Sequence, residues 1–177
     1  MISVFDNLIF KQNIKSEVHH LKDELVNDTL KSKENYNRKN VNGGQNLNFE
    51  VSTKHKEYLY NIFLKKSKKY LNKFTLKDTD FRLWCYYTNN DYLGSMKWHN
   101  HLNTSTINGV LYIETVKDKG IKFKHDKKFY YFEPEDYDLL IFPDFLNHLP
   151  KRSKDKRRMS FNMELRCIES SKEIFKI

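Results

Sequence analysis

Two histidines one residue apart stand out in a chain of 177 residues that contains seven histidines in all. His99 and His101 lie in KWHNHLNTSTINGVLYIE, a stretch that ends in an apolar run typical of a β-strand. Side chains at positions i and i+2 of an extended strand point to the same face, so the two imidazoles could converge on one metal ion. A His-x-His pair alone is a weak signal, because such pairs also occur as surface residues.

A third histidine follows a later apolar run. The segment DLLIFPDFLNHLPK ends its apolar part at Pro143 and then presents His148 on the following turn and strand. A histidine several strands after the His-x-His pair could complete a set of three ligands on one face of an ion. The sequence therefore predicts a metal site made by His99, His101 and His148.

A candidate anion-binding pair lies in RRMSFN, where Arg158 is ten residues beyond His148 and Ser160 shares its strand face. The guanidinium could form a two-pronged pair with a carboxylate, and the hydroxyl could add a further hydrogen bond. Arg157 and Arg158 could instead be ordinary surface charges of the basic segment KRSKDKRR. The strand MSFNMEL that follows is expected to be partly buried, which favours the binding role.

Two helices and a series of strands must position these residues. An opening strand is predicted from Ser3 to Phe10, a helix from an N-cap at Ser16 to Lys31, a polar Asn-rich loop from Lys31 to Asn48, and a second helix from Thr53 to Phe74. After Asp80 the chain turns to short β-rich runs, namely FRLWCYY, GVLYIE, IKFKH, FYYFE, DLLIF and RRMSFNMELRCI. No helical period separates these runs, so the order predicts an antiparallel sandwich, barrel or jelly roll rather than βαβ units.

The length fits one domain, which we divide into residues 1–80 (strand, helices and a candidate lid loop), 81–168 (the β-barrel core) and 169–177 (a tail). Hydrophobic residues make up 38% of the chain, enough for a packed core. The two cysteines, Cys85 and Cys167, form no CxxC motif, which favours a reducing compartment. With no signal peptide and no apolar run of roughly 18 residues, the sequence predicts a soluble, cytoplasmic protein without membrane contact, either monomer or homodimer.

Taken in order, the motifs resemble the iron(II)- and 2-oxoglutarate-dependent oxygenase superfamily. HNH, GVLYIE, LLIFPDFLNHLP and RMS are similar to the pattern HxHxxxxxxSGVYYL, FPSxLxH and RxSxxFN of small oxygenases of phages and bacteria. The similarity covers about Phe81 to Leu165, with looser echoes in VFDNLIF and in the GGQ at Gly43 to Gln45. It implies a mostly β fold with flanking helices, a double-stranded β-helix (a jelly-roll or cupin-like barrel) buttressed by the two N-terminal helices. It also implies location in the host-cell cytoplasm if the protein is phage-encoded.

The resemblance assigns His99 and His148 as the two metal-binding histidines. His101 occupies the position where most of the superfamily has Asp or Glu, and a neutral imidazole there makes the site one charge more positive. His101 is therefore either a third ligand or a residue beside the ligands that faces the metal or the substrate. Asp144 follows the apolar strand and is not expected to reach the ion.

The resemblance further assigns Arg158 and Ser160 as binders of the distal carboxylate of 2-oxoglutarate, with help from the strand tyrosines Tyr112 and Tyr86. The implied activity is that of a dioxygenase using Fe(II), 2-oxoglutarate and O2, which hydroxylates a substrate while 2-oxoglutarate is decarboxylated to succinate. A protein side chain such as proline is slightly favoured as the substrate, and a nucleobase or a small metabolite stays open. The loop from Lys31 to Asn48 is a candidate lid.

Two other function classes are compatible with parts of the sequence. A cupin-like metal-binding protein without 2-oxoglutarate chemistry would use the three histidines but would leave Arg158 and Ser160 unexplained. A basic nucleic-acid-binding module would use the net charge of +9. Because lysines and asparagines are spread almost everywhere outside the apolar runs, the charge discriminates poorly between these classes.

Overall fold

The fold is taken from a computed structural model, which describes residues 2–35, 53–77, 82–88, 97–151, 153 and 156–177. The strands are β1 (Ile2–Val4), β2 (Ile9–Asn13), β3 (Arg82–Thr88), β4 (Ile107–Glu114), β5 (Ile121–His125), β6 (Lys128–Phe132), β7 (Asp138–Pro143), β8 (Asn147–Pro150) and β9 (Arg158–Leu165). The helices are α1 (Lys15–Val18), a 3-10 turn (His19–Leu21), α2 (Lys22–Asn35), α3 (Thr53–Tyr70) and α4 (Ser171–Phe175).

The strands form two antiparallel sheets. Six strands pair in the order β1-β2-β7-β4-β9-β3, and three pair in the order β6-β5-β8. Every pairing between these strands is antiparallel, as the absence of βαβ spacing in the sequence predicts. The mostly antiparallel β architecture with a few helices is therefore confirmed, while closure into a barrel stays a prediction.

The six-stranded sheet has a different layer on each face. On β4 the residues with odd numbers, Leu111 among them, pack in one cluster with Leu25 of α2, Leu59 and Phe63 of α3, and Phe161 of β9. The even-numbered residues of β4 contribute instead to a second cluster, whose members are Leu8, Ile9, Val110, Tyr112, Ile121, Phe123, Phe132, Leu140, Phe142 and Leu146. Because β5 and β6 belong to this second cluster, the space between the two sheets is a core of its own, separate from the helical layer.

The N-terminal segment differs from the predicted single strand over Ser3–Phe10. It is a hairpin of β1 and β2, with Ser3 paired to Phe10. Phe5, Asp6 and Asn7 all have positive φ values, between 55° and 64°, so the chain reverses direction there. The alternation of apolar residues hid this turn, because Asp-Asn tolerates the left-handed conformation without needing a glycine.

The first helix begins at Lys15, not after an N-cap at Ser16, and it is interrupted. Val18, fully buried, has φ −124° and separates α1 from the 3-10 turn. The His19 ring there lies 2.7 Å from the Tyr137 hydroxyl, a tertiary contact that periodicity could not foresee. Downstream, α2 continues to Asn35, so the loop predicted from Lys31 starts later, and residues 36–48, with the GGQ, lie outside the described residues.

Other predicted elements agree with the structure within a few residues. The second helix, predicted over Thr53–Phe74, is α3, and all six predicted β-rich runs are strands. Lys66 of α3 is buried, and its Nζ lies 2.9 Å from Glu17 Oε2. The predicted tail, residues 169–177, contains α4, which opens with a capping box at Ser170.

No helix among the described residues is both long and apolar enough to cross a membrane.

Close contact between α3 and β4 predicts a stability effect. A Cβ added at Gly109 would lie 2.4 Å from Cε2 of the fully buried Phe63 ring. We expect Gly109→Ala to lower the free energy of unfolding by about 1–3 kcal/mol, because the buried ring or the backbone beside it would have to shift. The measurement is denaturant unfolding of the wild type and the variant.

The control is Phe63→Leu, alone and combined with Gly109→Ala. If the ring is the obstacle, the double variant is less destabilised than the sum of the two single changes. Simple additivity would contradict the close packing of Phe63 on the backbone of β4.

Candidate metal and 2-oxoglutarate site

Backbone pairing brings two of the three predicted histidines together. His99 and His148 form an antiparallel bridge, with N–H to O distances of 3.1 Å from His99 to His148 and 2.8 Å in return. Their ring centroids are 4.2 Å apart. Since β8, which carries His148, also pairs with β5, the bridge attaches the His-x-His segment to the three-stranded sheet.

His101 reaches the same place, although not from the regular strand that the sequence suggested. Its N–H donates to the Asp144 carbonyl at 2.8 Å, and its own carbonyl accepts from Thr104 and Ser105 N–H, so it begins a turn. Its Nε2 lies 3.3 Å from the Nε2 of His148. Anchoring to the turn after β7, and not strand alternation, directs this side chain toward its two partners.

All three rings have the same hydrogen-bonding arrangement. Each Nδ1 faces an oxygen that can only accept: the Lys97 carbonyl at 3.0 Å for His99, the Leu146 carbonyl at 3.0 Å for His148, and Glu164 Oε1 at 2.6 Å for His101. A neutral imidazole carries one proton, which these acceptors place on Nδ1. With all three rings neutral, each Nε2 would carry the lone pair, which is the tautomer that a metal ligand needs.

The spacing of these nitrogens suits a single ion. The Nε2 atoms of His101 and His148 lie 3.3 Å apart, and two ligands about 2.1 Å from an ion at right angles are about 3 Å apart. One ligand atom from each of the three histidines lies within 4.8 Å of the others. The three side chains therefore fit a divalent metal ion on one face.

Burial keeps two of the ligands neutral. Desolvation lowers the pKa of His99 below its ordinary 6.5, and it lowers the pKa of His148 well below that value, with the charge of His99 adding to the effect. A proton therefore competes weakly with a metal ion for these nitrogens at neutral pH. His148 is only 4% exposed and packs against the Phe123 and Phe142 rings of the inter-sheet core.

The predicted anion-binding residues are buried on the same side of the sheet. Arg158 and Ser160 are each 1% exposed, and Ser160 pairs in register with Tyr112 on β4. The Arg158 guanidinium carbon lies 5.1 Å from the centre of the Tyr112 ring. The neighbouring Arg157 is half-exposed and forms a two-pronged ion pair with Glu114, so only Arg158 departs from a surface role.

The hydroxyl of Tyr112 is a buried polar group suited to a ligand. Within the part of the chain that the structure describes, it has no hydrogen bond of normal geometry. Burial raises the pKa of Tyr112 to about 12, against the opposing effect of the nearby Arg158 charge. A buried hydroxyl beside a buried guanidinium matches the chemistry of a bound carboxylate, so these residues fit 2-oxoglutarate.

Two other sequence predictions concern Tyr86 and Asp144. The backbone of Tyr86 pairs with Ser160 on β9, but its side chain lies outside the described residues. Asp144 accepts a hydrogen bond from the Ser171 hydroxyl at 2.6 Å and is not part of the histidine cluster, as expected from the sequence.

Sequence reasoning missed Glu164, the partner of His101. The signal was present in RMSFNMEL, where polar residues at 158, 160, 162 and 164 alternate with apolar ones at 159, 161, 163 and 165. The apolar set joins the helical cluster, and Arg158, Ser160 and Glu164 are buried on the opposite face. A polar stripe inside a strand that is buried on both faces indicates a ligand site.

No protein-family model matches the sequence, and no curated protein sequence matches it significantly. Solved structures do match, and several of them are prolyl hydroxylases. A prolyl-4-hydroxylase of Pseudomonas putida matches with a TM-score of 0.56 at 15% identity, over 90% of this chain and 87% of that one. A Trichoplax adhaerens prolyl hydroxylase, solved with a hypoxia-inducible-factor peptide, gives 0.59 at 14% identity, over 90% and 83%.

Another is the viral collagen prolyl hydroxylase of Paramecium bursaria Chlorella virus-1 in its complex with 2-oxoglutarate, with a TM-score of 0.56 at 10% identity over 91% and 97%. At such identities the likeness establishes the fold. The chain therefore shares the antiparallel β architecture of oxygenases with a jelly-roll fold, and its three-histidine cluster is one that could hold a metal ion.

The histidine geometry predicts one divalent ion per chain. After treatment with a chelator, anaerobic titration with Fe(II) is expected to give a stoichiometry near one. Removing a ligand by His148→Ala should weaken binding by more than the roughly 10–100-fold typical of losing an outer partner. His125→Ala is the matched control, because His125 lies on β5 outside the cluster. Equal affinity in the His148 variant would refute the site.

Proposed function

We propose that this protein is an iron(II)- and 2-oxoglutarate-dependent dioxygenase that hydroxylates its substrate. The observation that carries the proposal is the convergence of three histidines, with one ligand atom from each within 4.8 Å of the others, beside the inter-sheet core to which Tyr112, the neighbour of Arg158, belongs. The shared fold of prolyl hydroxylases adds support, since it is the architecture in which this chemistry is housed in those proteins.

In this proposal His99, His101 and His148 hold the metal ion. When bound, iron(II) and 2-oxoglutarate supply the oxidising chemistry, in which O2 is consumed, 2-oxoglutarate becomes succinate and CO2, and the substrate gains a hydroxyl group. Because the three histidines approach from one side, they would leave the other side of the ion open to the keto acid. The aromatic rings of Phe123 and Phe142 against His148 exclude water from that side.

Arg158, Ser160 and Tyr112 hold the other end of the keto acid. The guanidinium pairs with the distal carboxylate, and the two hydroxyls donate to it. Burial strengthens such a pair, because a carboxylate in this space has lost its water and depends on these donors. Tyr86 would join them from β3, where its backbone pairs with Ser160.

A protein side chain, with proline first, is the substrate class we favour. The support is the fold similarity to prolyl hydroxylases, one of which was solved with a peptide. Trp98, which precedes His99 in the sequence, also has an exposed side chain. Its ring contacts the exposed ring of Phe129, with centroids 6.1 Å apart. Exposed aromatic rings suit the binding of a polypeptide.

A second candidate is a cupin-like protein that holds a metal without 2-oxoglutarate. The all-histidine ligand set favours this candidate, because three neutral histidines are also a common ligand set for zinc. The two candidates differ in the role of Arg158. Only the dioxygenase requires Arg158 to bind the carboxylate of 2-oxoglutarate.

The first test is therefore Arg158→Ala. We expect 2-oxoglutarate binding, measured by the spectral change it causes in the anaerobic Fe(II) protein, to weaken by about 2–5 kcal/mol, while Fe(II) affinity is retained. Arg157→Ala is the matched control, since that residue pairs with Glu114 at a half-exposed position. Unchanged 2-oxoglutarate affinity in a folded Arg158 variant would favour the cupin-like alternative.

The second test addresses the substrate class. Succinate formation from 2-oxoglutarate is measured with pools of proline-containing peptides, single-stranded nucleic acid and small metabolites. We expect the peptide pool to stimulate turnover and to gain about 16 mass units per event, the mass of one oxygen atom. The control is the His99→Ala variant, which should give no product. Stimulation by nucleic acid alone would reject the protein-side-chain preference.

A further inference from the structure

Glu164 is a buried carboxylate in contact with a candidate metal ligand. It lies on β9, is 4% exposed, and its Oε1 is 2.6 Å from His101 Nδ1. Its other ion-pair contact, to Nη1 of Arg82, is long at 3.8 Å and involves an arginine side chain that is 51% exposed. The short contact to His101 is therefore the principal one of its carboxylate.

Placing a carboxylate in this position needs a compensating partner. Burial of an acidic group costs several kcal/mol unless it is paired and hydrogen-bonded. A hydrogen bond from an imidazole N–H to a carboxylate is among the stronger ones, and 2.6 Å is short for it. The pair thus fixes both the tautomer of His101 and the direction of its ring.

We propose that Glu164 is a positioning residue of the metal site. Its carboxylate orients His101 and, from the far side of the imidazole ring, supplies the negative charge that a coordinating Asp or Glu would supply directly. This inference rests on the metal site of the proposed function. Carboxylate–histidine–metal arrangements raise the basicity of the ligand nitrogen. The site thereby keeps one carboxylate, moved from the metal to the far side of the imidazole.

The carboxylate of Glu164 changes the effect expected of an aspartate at position 101. His101→Asp puts the usual ligand type at this position, and from the pattern alone it should keep the metal. With Glu164 buried beside it, however, the new carboxylate faces a like charge. We expect His101→Asp to bind metal more weakly than wild type, and His101→Asp combined with Glu164→Gln to recover affinity.

Cobalt(II) is the probe, because its affinity and its visible absorption both report on the ligands. Glu164→Gln, which keeps shape and one acceptor, should weaken Co(II) binding by about 10–100-fold and change the absorption bands. Arg82→Gln is the matched control, since it removes the long contact of Glu164 without touching His101, and should leave both readouts unchanged. Near-ultraviolet circular dichroism verifies that each metal-free variant is folded.

A comparison in the His101→Ala variant separates a positioning role of Glu164 from a general effect on stability. If Glu164 acts through His101, Glu164→Gln has no further effect on Co(II) affinity when His101 is already alanine. An equal loss in the two backgrounds overturns the proposal. So does wild-type affinity in Glu164→Gln, or no recovery of affinity when His101→Asp is combined with Glu164→Gln.

One measurement needs no substitution at all. In the Zn(II)-loaded wild type, proton–nitrogen spectra should show a proton on Nδ1 of His101, further downfield than those of His99 and His148, because its acceptor is a carboxylate and theirs are carbonyls. A proton on Nε2 of His101 overturns the inference. Failure of the wild type to bind either metal would reject the metal site itself, whereas binding without any effect of Glu164 would reject the positioning role alone.

Discussion

The antiparallel pairing of β4 with β9 is the constraint on which both the core and the site depend. These two strands lie inside the six-stranded sheet and are buried on both faces, and their alternation sends one set of side chains to the helices and the other to the space between the sheets. A shift of one residue in this pairing would exchange the two sets. Arg158 would then face Leu59 and Phe63 of α3, and the apolar residues would fill the ligand space.

A bulge at the end of this pairing separates two arginines. Tyr112 pairs with Ser160, but Glu114 pairs with Met159, so the register shifts by one residue on β4. Beyond the shift Glu114 meets Arg157 near the surface, while Arg158 remains behind the Tyr112 ring. Bulges often re-aim side chains beside functional sites, and here one leaves two adjacent arginines in different environments.

The histidine cluster depends on the hydrogen-bond acceptors that face its Nδ1 atoms as much as on the histidines themselves. Two backbone carbonyls and one carboxylate face the three Nδ1 atoms, which in neutral rings would leave the lone pairs on Nε2. The backbone must in turn hold the three rings close to one another. The hydrogen-bonded bridge between His99 and His148 and the contact of His101 with the turn after β7 provide that restraint.

The sequence by itself determined the six β-rich runs after Asp80, the helix α3 and the order of the functional motifs, because strand alternation and helical periodicity are local properties of the chain. It also pointed to the three histidines and to Arg158, since unusual polar residues next to apolar strands are visible without coordinates. The hairpin at Phe5–Asn7 and the break after Val18 could not be predicted, because a turn without glycine and a tertiary contact to Tyr137 decide them.

Only the tertiary structure decided which groups meet. His101 lies outside a regular strand, and its approach to His148 depends on a backbone contact with Asp144, a residue 43 positions away in the chain. Glu164 and His101 are likewise distant in sequence, and no local pattern states that a carboxylate on β9 would contact this imidazole. Local propensities specify the helices and strands. The register of β4 with β9 and the packing of the two sheets specify the distances between side chains, and the chemistry of the site depends on those distances.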